Sequence, residues 1–499
     1  MNGDNQLHAT INVTVIRRTA LAVACLASTV AQAATAPSNL LSLLSSAADG
    51  SWVKASTNLF SDAWPDVSLR NDQYGYDDPS RVIAAWSSVA WDSKRGDILL
   101  YGGGHGNYGG NEMYRWNGTS QKWTLASLPS KVTPVATANG DLYQPVDGLM
   151  NAPSSAHTYD NNEYLAVADR FITLGGPAFN VQGGQYKVLP NGSLQLTGPY
   201  VFDPNKADGT KVGGTTGSGV NSATLGGNMW QNRDNRSALF NVTTWRGTEI
   251  LSPLDGTSAA AVENGKDVIY FTGRTPSNNY LMRYQVTDIA NPASDQMSVV
   301  GLSDTGTPYG AAGYDSVNGF YVSLTNSNSS PFVAWTTRGS GIGLTNAAVD
   351  LRLNALAGFN GASIGGIDFN AATGSFLVWT GAGDVWRLKE PSSGNITDTW
   401  TLTLETNGAL LAAAAEPDGM SDAGVRGKWK YADGLNAFIA VEGDASGDVW
   451  LYRPAGWTSP LSTPVPEPET WQLWLVGLLG VASRSALRRR QAQGHSRAA

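Results

Sequence analysis

Short apolar stretches alternate with polar turns along most of the chain, and one such pattern recurs. A first apolar strand ends near Asp or Asn, a turn with Gly or Asn follows, and a second, more apolar strand runs into a Gly-rich exit. This order predicts a β-hairpin in each copy. The copies are SSVAWDSKRGDILLYGGG, HTYDNNEYLAVADRFITLGG, AAAVENGKDVIYFTG, GAAGYDSVNGFYVSLTN, GGIDFNAATGSFLVWTG and KWKYADGLNAFIAVEGD.

The spacing of the copies predicts an all-β propeller built from four-stranded blades. Their second strands begin near Ile98, Phe171, Val268, Phe320, Phe376 and Phe438, at intervals of 73, 97, 52, 56 and 62 residues. A blade takes roughly 40 to 50 residues before loops are added. The longest interval has room for another blade, because NMWQNRDNRSALFNVTTW (228–245) imitates the hairpin. We therefore predict seven blades, with six as the alternative.

The two ends of the repeat region predict how the ring closes. The segment GSWVKAST (50–57) is strand-like and precedes the first complete hairpin, whereas GDVWLYRP (447–454) follows the last one. An N-terminal strand that completes the last blade would leave no open sheet edge. We thus place the propeller at residues 50–457 and a Pro/Ser/Thr linker at 458–465.

The first hairpin carries further spaced residues. Gly103 and Gly104 follow the second strand, and Tyr114 and Trp123 come later in the same blade. This arrangement resembles the kelch motif, in which a double glycine follows the second strand and spaced Tyr and Trp pack between blades. Only the copy near Phe171 also keeps the double glycine. The resemblance to kelch and galactose-oxidase-like propellers is therefore one of fold, over most of residues 50–457.

The N-terminus has the features of a secretory signal. Arg17 and Arg18 precede an apolar run, and Ala31-Gln32-Ala33 offers small residues for cleavage. We predict a signal peptide over residues 1–33; a short buried helix is the alternative. Its removal takes away Cys25, the single cysteine, so the mature chain would have no disulfide, thiolate metal site or cysteine nucleophile.

The C-terminus carries a proline-rich spacer, an apolar run and a basic cluster. Pro466-Glu467-Pro468 precedes an apolar run over 471–482, which is too short for the ~20 residues that cross a bilayer, and arginines follow at 484 and 488–490. The segment 466–491 resembles the PEP-CTERM sorting signal. The resemblance implies export, exosortase recognition, transient inner-membrane contact, removal of the tail, and delivery to the cell surface, outer membrane or extracellular matrix of a Gram-negative bacterium. A plain membrane anchor is the alternative.

Charge narrows the classes of ligand. Between residues 37 and 464 the chain has 26 basic and 38 acidic residues, a formal net charge of −12. General nucleic-acid binding needs a basic surface. We therefore predict no nucleic-acid partner. The PEP-CTERM resemblance implies the exosortase and the export machinery as partners, and we predict an extracellular polysaccharide or a surface protein as the ligand.

The Gly-rich segment YGGGHGNYGGNEMYRWN (101–117) leads into a strand, so it lacks the helix N-terminus of a phosphate-binding loop. His105 follows a second strand, and His157 precedes the first strand of the next blade. In an up-and-down blade these two kinds of loop open on the same face. The catalytic candidates on this face are His105, His157, Tyr159 and Arg81, and the ligand-binding candidates are Tyr74, Tyr76, Asn107, Tyr108, Asn111, Glu112 and Arg274.

Two functions fit this face, and the sequence leaves open whether the protein is an enzyme. The first is a non-catalytic, surface-sorted propeller that binds glycan or protein. The alternative is a carbohydrate-active enzyme such as a polysaccharide lyase, in which a base and a tyrosine remove a proton beside a uronate carboxylate. The histidines have a structural alternative as well, hydrogen bonding to backbone between blades. No HExxH spacing occurs, and we predict no metal and no cofactor.

Overall fold

A computed structural model describes residues 36–460, apart from 139, 180–183, 216–217, 245–246, 251–255, 304–309, 340, 357, 362–363, 407–416 and 418–422. The described residues form six four-stranded antiparallel sheets, each a propeller blade. The all-β propeller fold with four-stranded blades is therefore confirmed.

The first three blades carry the insertions of the fold. Blade 1 contains β2 (Ser88–Asp92), β3 (Asp97–Tyr101), β4 (Tyr114–Asn117) and β5 (Lys122–Leu125). Blade 2 contains β8 (Asn162–Leu165), β9 (Arg170–Thr173), β12 (Tyr200–Phe202) and β13 (Trp230–Asn232). Blade 3 contains β16 (Ser258–Glu263), β17 (Lys266–Arg274), β18 (Asn279–Val286) and β19 (Gln296–Ser303). Three separate hairpins lie between these strands: β6 (Val132–Val135) with β7 (Leu142–Pro145), β10 (Tyr186–Val188) with β11 (Leu194–Leu196), and β14 (Asn241–Thr244) with β15 (Gly247–Ile250).

The last three blades follow each other without added hairpins. Blade 4 contains β20 (Ala312–Asp315), β21 (Phe320–Leu324), β22 (Phe332–Thr336) and β23 (Val349–Asp350). Blade 5 contains β24 (Gly366–Asn370), β25 (Ser375–Trp379), β26 (Val385–Lys389) and β27 (Thr401–Leu404). Blade 6 contains β28 (Trp429–Ala432), β29 (Ala437–Val441), β30 (Val449–Arg453) and the N-terminal β1 (Ser51–Lys54). The helices are α1 (Ser38–Ser46), α2 (Ser80–Ile83) and α3 (Arg236–Leu239), with 3₁₀ turns at Phe60–Ala63, Val67–Leu69, Pro204–Lys206, Pro292–Ser294 and Arg426–Lys428.

The blades form a closed ring. The first strands β2, β8, β16, β20, β24 and β28 contact one another in turn, and β28 returns to β2. As predicted, an N-terminal strand closes the ring: β1 pairs antiparallel with β30, from Ser51 opposite Arg453 to Lys54 opposite Trp450. Closure leaves a large apolar core between the blades, because each sheet covers the faces of its neighbours.

Aromatic packing secures this closure. The Trp52 side chain in β1 is only 5 % exposed, and its ring lies 5.4 Å from Trp379, 5.6 Å from Trp429 and 5.0 Å from Tyr452. Its indole Nε1 also donates a hydrogen bond to the Gly383 carbonyl at 3.0 Å. These contacts join the N-terminal strand to blades 5 and 6.

The prediction of seven blades is wrong, and six is the number that the described residues form. Trp230, which imitated the start of a seventh blade, lies in β13 and pairs with Phe202 in β12 as the outer strand of blade 2. Long insertions before and after β12 stretch this blade, so the 97-residue interval reflects insertions. The later part of the imitation, β14, pairs with β15 in a two-stranded hairpin.

The ring has two faces, which we name by their connections. The hairpin face carries the turns between the first and second strands of each blade: residues 93–96, 166–169, 264–265, 316–319, 371–374 and 433–436. The loop face carries the loops between second and third strands and the connections from one blade to the next, including 102–113 and 126–161. His105 and His157 both lie on the loop face.

The compact body ends at Trp457, and the chain from Thr458 onward forms a second unit. The predicted signal peptide 1–33 and sorting segment 466–491 lie outside the described residues, as does the linker beyond residue 460. In the part of the chain that the structure describes, no helix is long and apolar enough to cross a membrane.

Candidate functional site

The Gly-rich loop 102–112 is held by the segment that precedes it in the chain. The backbone N–H groups of Tyr76 and Gly109 donate hydrogen bonds to the carbonyls of Asn107 (2.5 Å) and Tyr74 (3.0 Å). Gly75 forms a bridge to Tyr108 with φ of 88°, and a Cβ at Gly75 would lie 2.2 Å from the Asn107 carbonyl oxygen. Only glycine fits there, and the close approach fixes the loop that carries His105.

His157 lies at the centre of a group of rings beneath this loop. Its side chain is 3 % exposed, and its Nε2 lies 2.7 Å from the Asn107 amide Nδ2. The imidazole centroid is 4.9 Å from the Trp86 ring, 5.4 Å from His105 and 6.0 Å from Tyr159. The structure therefore brings two predicted histidines, the predicted tyrosine and the predicted asparagine together.

Arg426 joins the same group from the other end of the chain. Its guanidinium carbon lies 5.7 Å from the centre of the Tyr159 ring, a cation–π arrangement. The Tyr159 backbone N–H donates to the Trp86 carbonyl at 2.6 Å. We call Trp86, His105, Asn107, His157, Tyr159 and Arg426 the histidine cluster.

The backbone of this cluster is strained. Trp86, His105, Tyr159 and Arg426 have φ of 50°, 42°, 47° and 47°, in the left-handed region that bulky residues rarely adopt. The other described non-glycine residues with positive φ are Gln121, Asp169, Asn228, Asp234, Asn264 and Asn436. Five of these six are Asn or Asp, which tolerate that region. Four bulky outliers thus gather in one place.

The electrostatics of His157 keep the ring neutral. Burial, with a smaller repulsion from His105, lowers the pKa of His157 to about 3. The Asn107 Nδ2 can only donate, so Nε2 accepts and the ring proton resides on Nδ1. That buried Nδ1 has no hydrogen-bond partner in the described residues. An unsatisfied buried donor is unfavourable, so the protein bears a cost to hold His157 neutral against Asn107.

Other predicted residues lie at the surface beside the cluster. The exposed Arg81 places its guanidinium 4.5 Å from the Tyr76 ring, which is 58 % exposed. Tyr74 is half-buried and packs against Tyr143, with ring centroids 5.3 Å apart. Arg274 is exposed at the end of β17 in blade 3, further round the ring. These side chains border the loop face.

Tyr108, Asn111 and Glu112, also predicted to bind ligand, are buried under the loop. Asn111 donates to the Pro153 carbonyl and accepts from the Ser130 N–H, both at 2.8 Å. Glu112 accepts a hydrogen bond from the Tyr114 hydroxyl at 2.7 Å, and burial raises the pKa of this carboxyl to about 7. In the structure these three side chains support the loop from below.

The sequence reasoning missed Trp86 and Arg426. Both lie just before the first strand of a blade, Trp86 before β2 and Arg426 before β28, as His157 and Tyr159 do before β8. The topological rule that selected His157 selects these two positions as well. Applied to every blade, it would have found them.

No group of three or more His, Cys, Asp and Glu side chains that could hold a metal ion occurs among the residues that the structure describes.

A comparison with protein families matches the C-terminus. Residues 464–490 match the PEP-CTERM protein-sorting motif, and this range includes Pro466, Glu467 and Pro468. The predicted sorting motif is thereby confirmed. It indicates an exported protein of a Gram-negative bacterium that is processed by an exosortase.

No curated protein matches the chain in sequence. Among solved structures, an α-L-arabinofuranosidase from Fusarium graminearum shares 8% identity, with 76% of this chain and 96% of that chain covered and a TM-score of 0.38. The lectin of Aleuria aurantia shares 10%, covering 77% and 98%, with a TM-score of 0.35. A gluconolactonase from Xanthomonas campestris shares 11%, covering 81% and 98%, with a TM-score of 0.32. Sequence identities and TM-scores this low do not indicate what this chain does.

Proposed function

We propose that this exported propeller is a glycan-binding protein and that the histidine cluster on the loop face contacts the glycan. The observation that carries the proposal is the gathering of Trp86, His105, Tyr159 and Arg426 in left-handed backbone conformations. Such conformations cost on the order of 1–3 kcal/mol each and concentrate at functional sites. Glycine would adopt these backbone conformations at a lower cost in free energy. The four larger side chains at these positions therefore indicate that their contacts have a function.

The chemistry of the accessible groups supports a sugar ligand. His105 is exposed and Trp86 and Asn107 are half-buried, so an imidazole, part of an indole and part of an amide are accessible to solvent on the loop face. Aromatic faces stack on the apolar faces of sugar rings, and amides hydrogen-bond sugar hydroxyls. The neighbouring pair of Arg81 and Tyr76 extends this surface with a cation and a second ring.

The state of His157 favours binding over proton transfer. A general base works best when its pKa lies near the working pH. The pKa of His157 is about 3, so at neutral pH the imidazole is a poor proton acceptor. As a neutral ring that accepts from the Asn107 amide at 2.7 Å, it positions that half-buried amide on the loop face.

The test uses the purified full chain and the extracellular polysaccharide of the producing bacterium. His105→Ala removes an exposed imidazole from the cluster, and we expect its affinity for the polysaccharide to fall roughly tenfold. Asn264→Ala is the matched control, because Asn264 also has positive φ (51°) but lies in a turn of the hairpin face. Equal retention of wild type and His105→Ala on immobilised polysaccharide would overturn the proposal.

A polysaccharide lyase is the second candidate, and the placement of Arg426 favours it. In a β-elimination the Arg426 guanidinium, near the Tyr159 ring and beside His157, would hold the uronate carboxylate while Tyr159, as the phenolate, takes the C5 proton. A C4–C5 double bond forms, the C4–O glycosidic bond breaks, and the resulting phenol returns its proton to the leaving oxygen. A lyase would raise ultraviolet absorbance from unsaturated sugar ends, and Tyr159→Phe should slow this by ~100-fold or more. A flat trace with wild-type protein eliminates the lyase and leaves the binding function standing.

We also propose a kelch-like and galactose-oxidase-like type of propeller and the removal of both terminal segments during maturation. The kelch-like and galactose-oxidase-like resemblance is supported by Trp123 of blade 1, whose indole Nε1 donates a hydrogen bond at 2.8 Å to the Gly447 carbonyl, between β29 and β30 of blade 6. The mature protein would lack residues 1–33, carry the propeller at 50–457 and the linker at 458–465, and lose most of 466–491. Its destination would be the cell surface, outer membrane or extracellular matrix. Intact mass measurement of the protein recovered from its host tests both cleavages.

A further inference from the structure

A buried lysine meets two buried carboxyl groups at the centre of the ring. The Nζ of Lys430 in β28 lies 3.2 Å from Asp160 Oδ1 and 3.0 Å from Glu163 Oε1. Glu163 lies in β8 and Asp160 lies two residues before that strand, and all three side chains are buried. The contact joins blade 6 to blade 2, past blade 1, between residues 270 positions apart in the sequence.

The Asp160 carboxyl is held in one orientation by other blades. Its Oδ2 accepts a hydrogen bond from the N–H of Ala312 in β20 at 2.9 Å. The hydroxyl of Ser258 in β16 lies 2.5 Å from the Asp160 carbonyl oxygen and 2.9 Å from Glu163 Oε1, so it connects the two acidic residues. Oδ1 therefore faces the amine, while Oδ2 faces a donor that would stabilise negative charge developing on it.

The protonation of these groups determines whether amine and carboxyl can react. Burial raises the pKa of Asp160 to about 7, although Lys430 acts to lower it, so part of this carboxyl is neutral at neutral pH. A neutral carboxyl is a better electrophile than a carboxylate. Burial acts to lower the pKa of Lys430, but Asp160 and Glu163 raise it overall. The amine therefore becomes a nucleophile only when a contacting group accepts its proton, and Glu163 is within reach.

We propose that Lys430 and Asp160 condense to an intramolecular isopeptide bond, with Glu163 as the group that accepts the amine proton. A bond forms between Nζ and Asp160 Cγ, and the Cγ–Oδ1 bond breaks. Starting from the ion pair, the ammonium gives up two protons and the carboxylate one oxygen, which leave as water. The reaction needs no oxidant, reductant or further reactant. Groups fixed in contact in this way react as if at very high concentration.

The surroundings allow the water to leave. Glu163 and Lys430 also line a cavity of about 350 Å³, which lies next to the new bond. Burial of the three side chains keeps bulk water from the amide once it has formed.

The bond would lock the closed ring covalently. The single cysteine of the chain, Cys25, lies in the predicted signal peptide, so the mature chain has no disulfide for this purpose. A cross-link between residues 160 and 430 closes a long loop, and such cross-links restrict the unfolded chain strongly.

The first test uses the wild-type full chain, purified in the folded state, then denatured and digested with trypsin. We expect mass spectrometry to find a branched peptide that joins the segment containing Asp160 to the segment containing Lys430. It should be lighter than the two segments together by about 18 Da, one water. Fragmentation must place the loss at the junction, because Asp147-Gly148 in the first segment can also lose water. Recovery of the two segments only as separate, unmodified peptides would overturn the proposal.

The second test assigns the roles with variants whose circular dichroism matches wild type. Glu163→Gln keeps the shape of the side chain but accepts no proton, and we expect the branched peptide to form ~100-fold more slowly. Asp160→Ala should contain none. Asp368→Asn is the matched control, because this neighbouring buried carboxyl accepts from the Tyr431 N–H at 2.8 Å, and it should react like wild type. A wild-type rate in Glu163→Gln, or a branched peptide in Asp160→Ala, would contradict the assignment.

Discussion

The two faces of the propeller treat left-handed backbone positions differently. On the hairpin face, such positions hold residues that adopt this conformation readily, as Asn264, Gly319 and Asn436 do in their turns. On the loop face, Trp86, His105, Tyr159 and Arg426 occupy the same region of backbone space. The turns between first and second strands follow the local preferences of the chain, and the loop face departs from them at four bulky residues.

This difference locates the candidate site on the loop face. In a turn that only joins two strands, glycine would be less strained at positive φ than a tryptophan or an arginine. Three of the four loop-face residues lie around the buried His157 imidazole, and Arg426 contacts the third of them, Tyr159, although their positions in the sequence are far apart. Their shared strain is therefore explained by the contacts they make together.

The largest effect that we predict concerns the buried charges between the two faces. Lys430→Ala leaves Asp160 and Glu163 buried without their common ammonium, because Lys430 is only 7 % exposed. We expect the free energy of unfolding to fall by about 3–5 kcal/mol, as for other broken buried ion pairs. Chemical denaturation measures the loss.

Lys54→Ala is the matched control for that change. Lys54 pairs with Asp448, but its side chain is 47 % exposed, so its removal should cost less than about 1 kcal/mol. If both variants lose the same free energy of unfolding, the buried ion pairs of Lys430 contribute no more to stability than the exposed pair of Lys54 and Asp448.

The next effect concerns the pH dependence that His157 gives to the loop face. Its pKa is about 3 in the folded protein and 6.5 when unperturbed, so the unfolded chain binds the proton first as pH falls. Its contribution is complete above pH 6.5 and is lost below that value. Relative to His157→Gln, wild type should lose about 2–3 kcal/mol between pH 6.5 and roughly pH 4.5.

The measurement is a pair of denaturation series over this pH range. Parallel stability profiles for wild type and His157→Gln would mean that His157 is not held neutral by its surroundings, and the role of its ring in positioning Asn107 would lose support.

The smallest effect belongs to the hairpin face. Asn264→Gly should change the free energy of unfolding by less than about 0.5 kcal/mol, since both residues tolerate positive φ at this turn. Thermal unfolding of the variant checks this value. A larger change would show that the hairpin face also stores strain, and the contrast between the faces would disappear.

Much of the fold could be predicted from sequence, because alternating apolar residues and turn residues are local signals. They located the hairpins and the closing strand β1. The blade count could not be read in this way, because an insertion that carries hairpins has the same length and pattern as a blade. Trp230 resembled the start of a blade, but it pairs with Phe202 inside blade 2.

The candidate site was predicted in part for a similar reason. Loop classes placed His105 and His157 on one face, and the structure brings their rings within 5.4 Å. The burial of Asn111 and Glu112 could not be foreseen, because polar residues in a Gly-rich loop are usually exposed. Arg426 reaches Tyr159 only through closure of the ring, which no local pattern encodes.

The central claim is that the loop face keeps strained side chains for binding, and His105→Gly tests it most directly. Glycine removes the exposed imidazole and relaxes the backbone at φ of 42°. Denaturation and polysaccharide binding are measured on the same preparation, with Asn264→Gly as control. The account predicts stability equal to wild type or higher by up to about 1 kcal/mol, together with roughly tenfold weaker binding. Unchanged binding, or a loss of stability that accounts for the loss of binding, would contradict it.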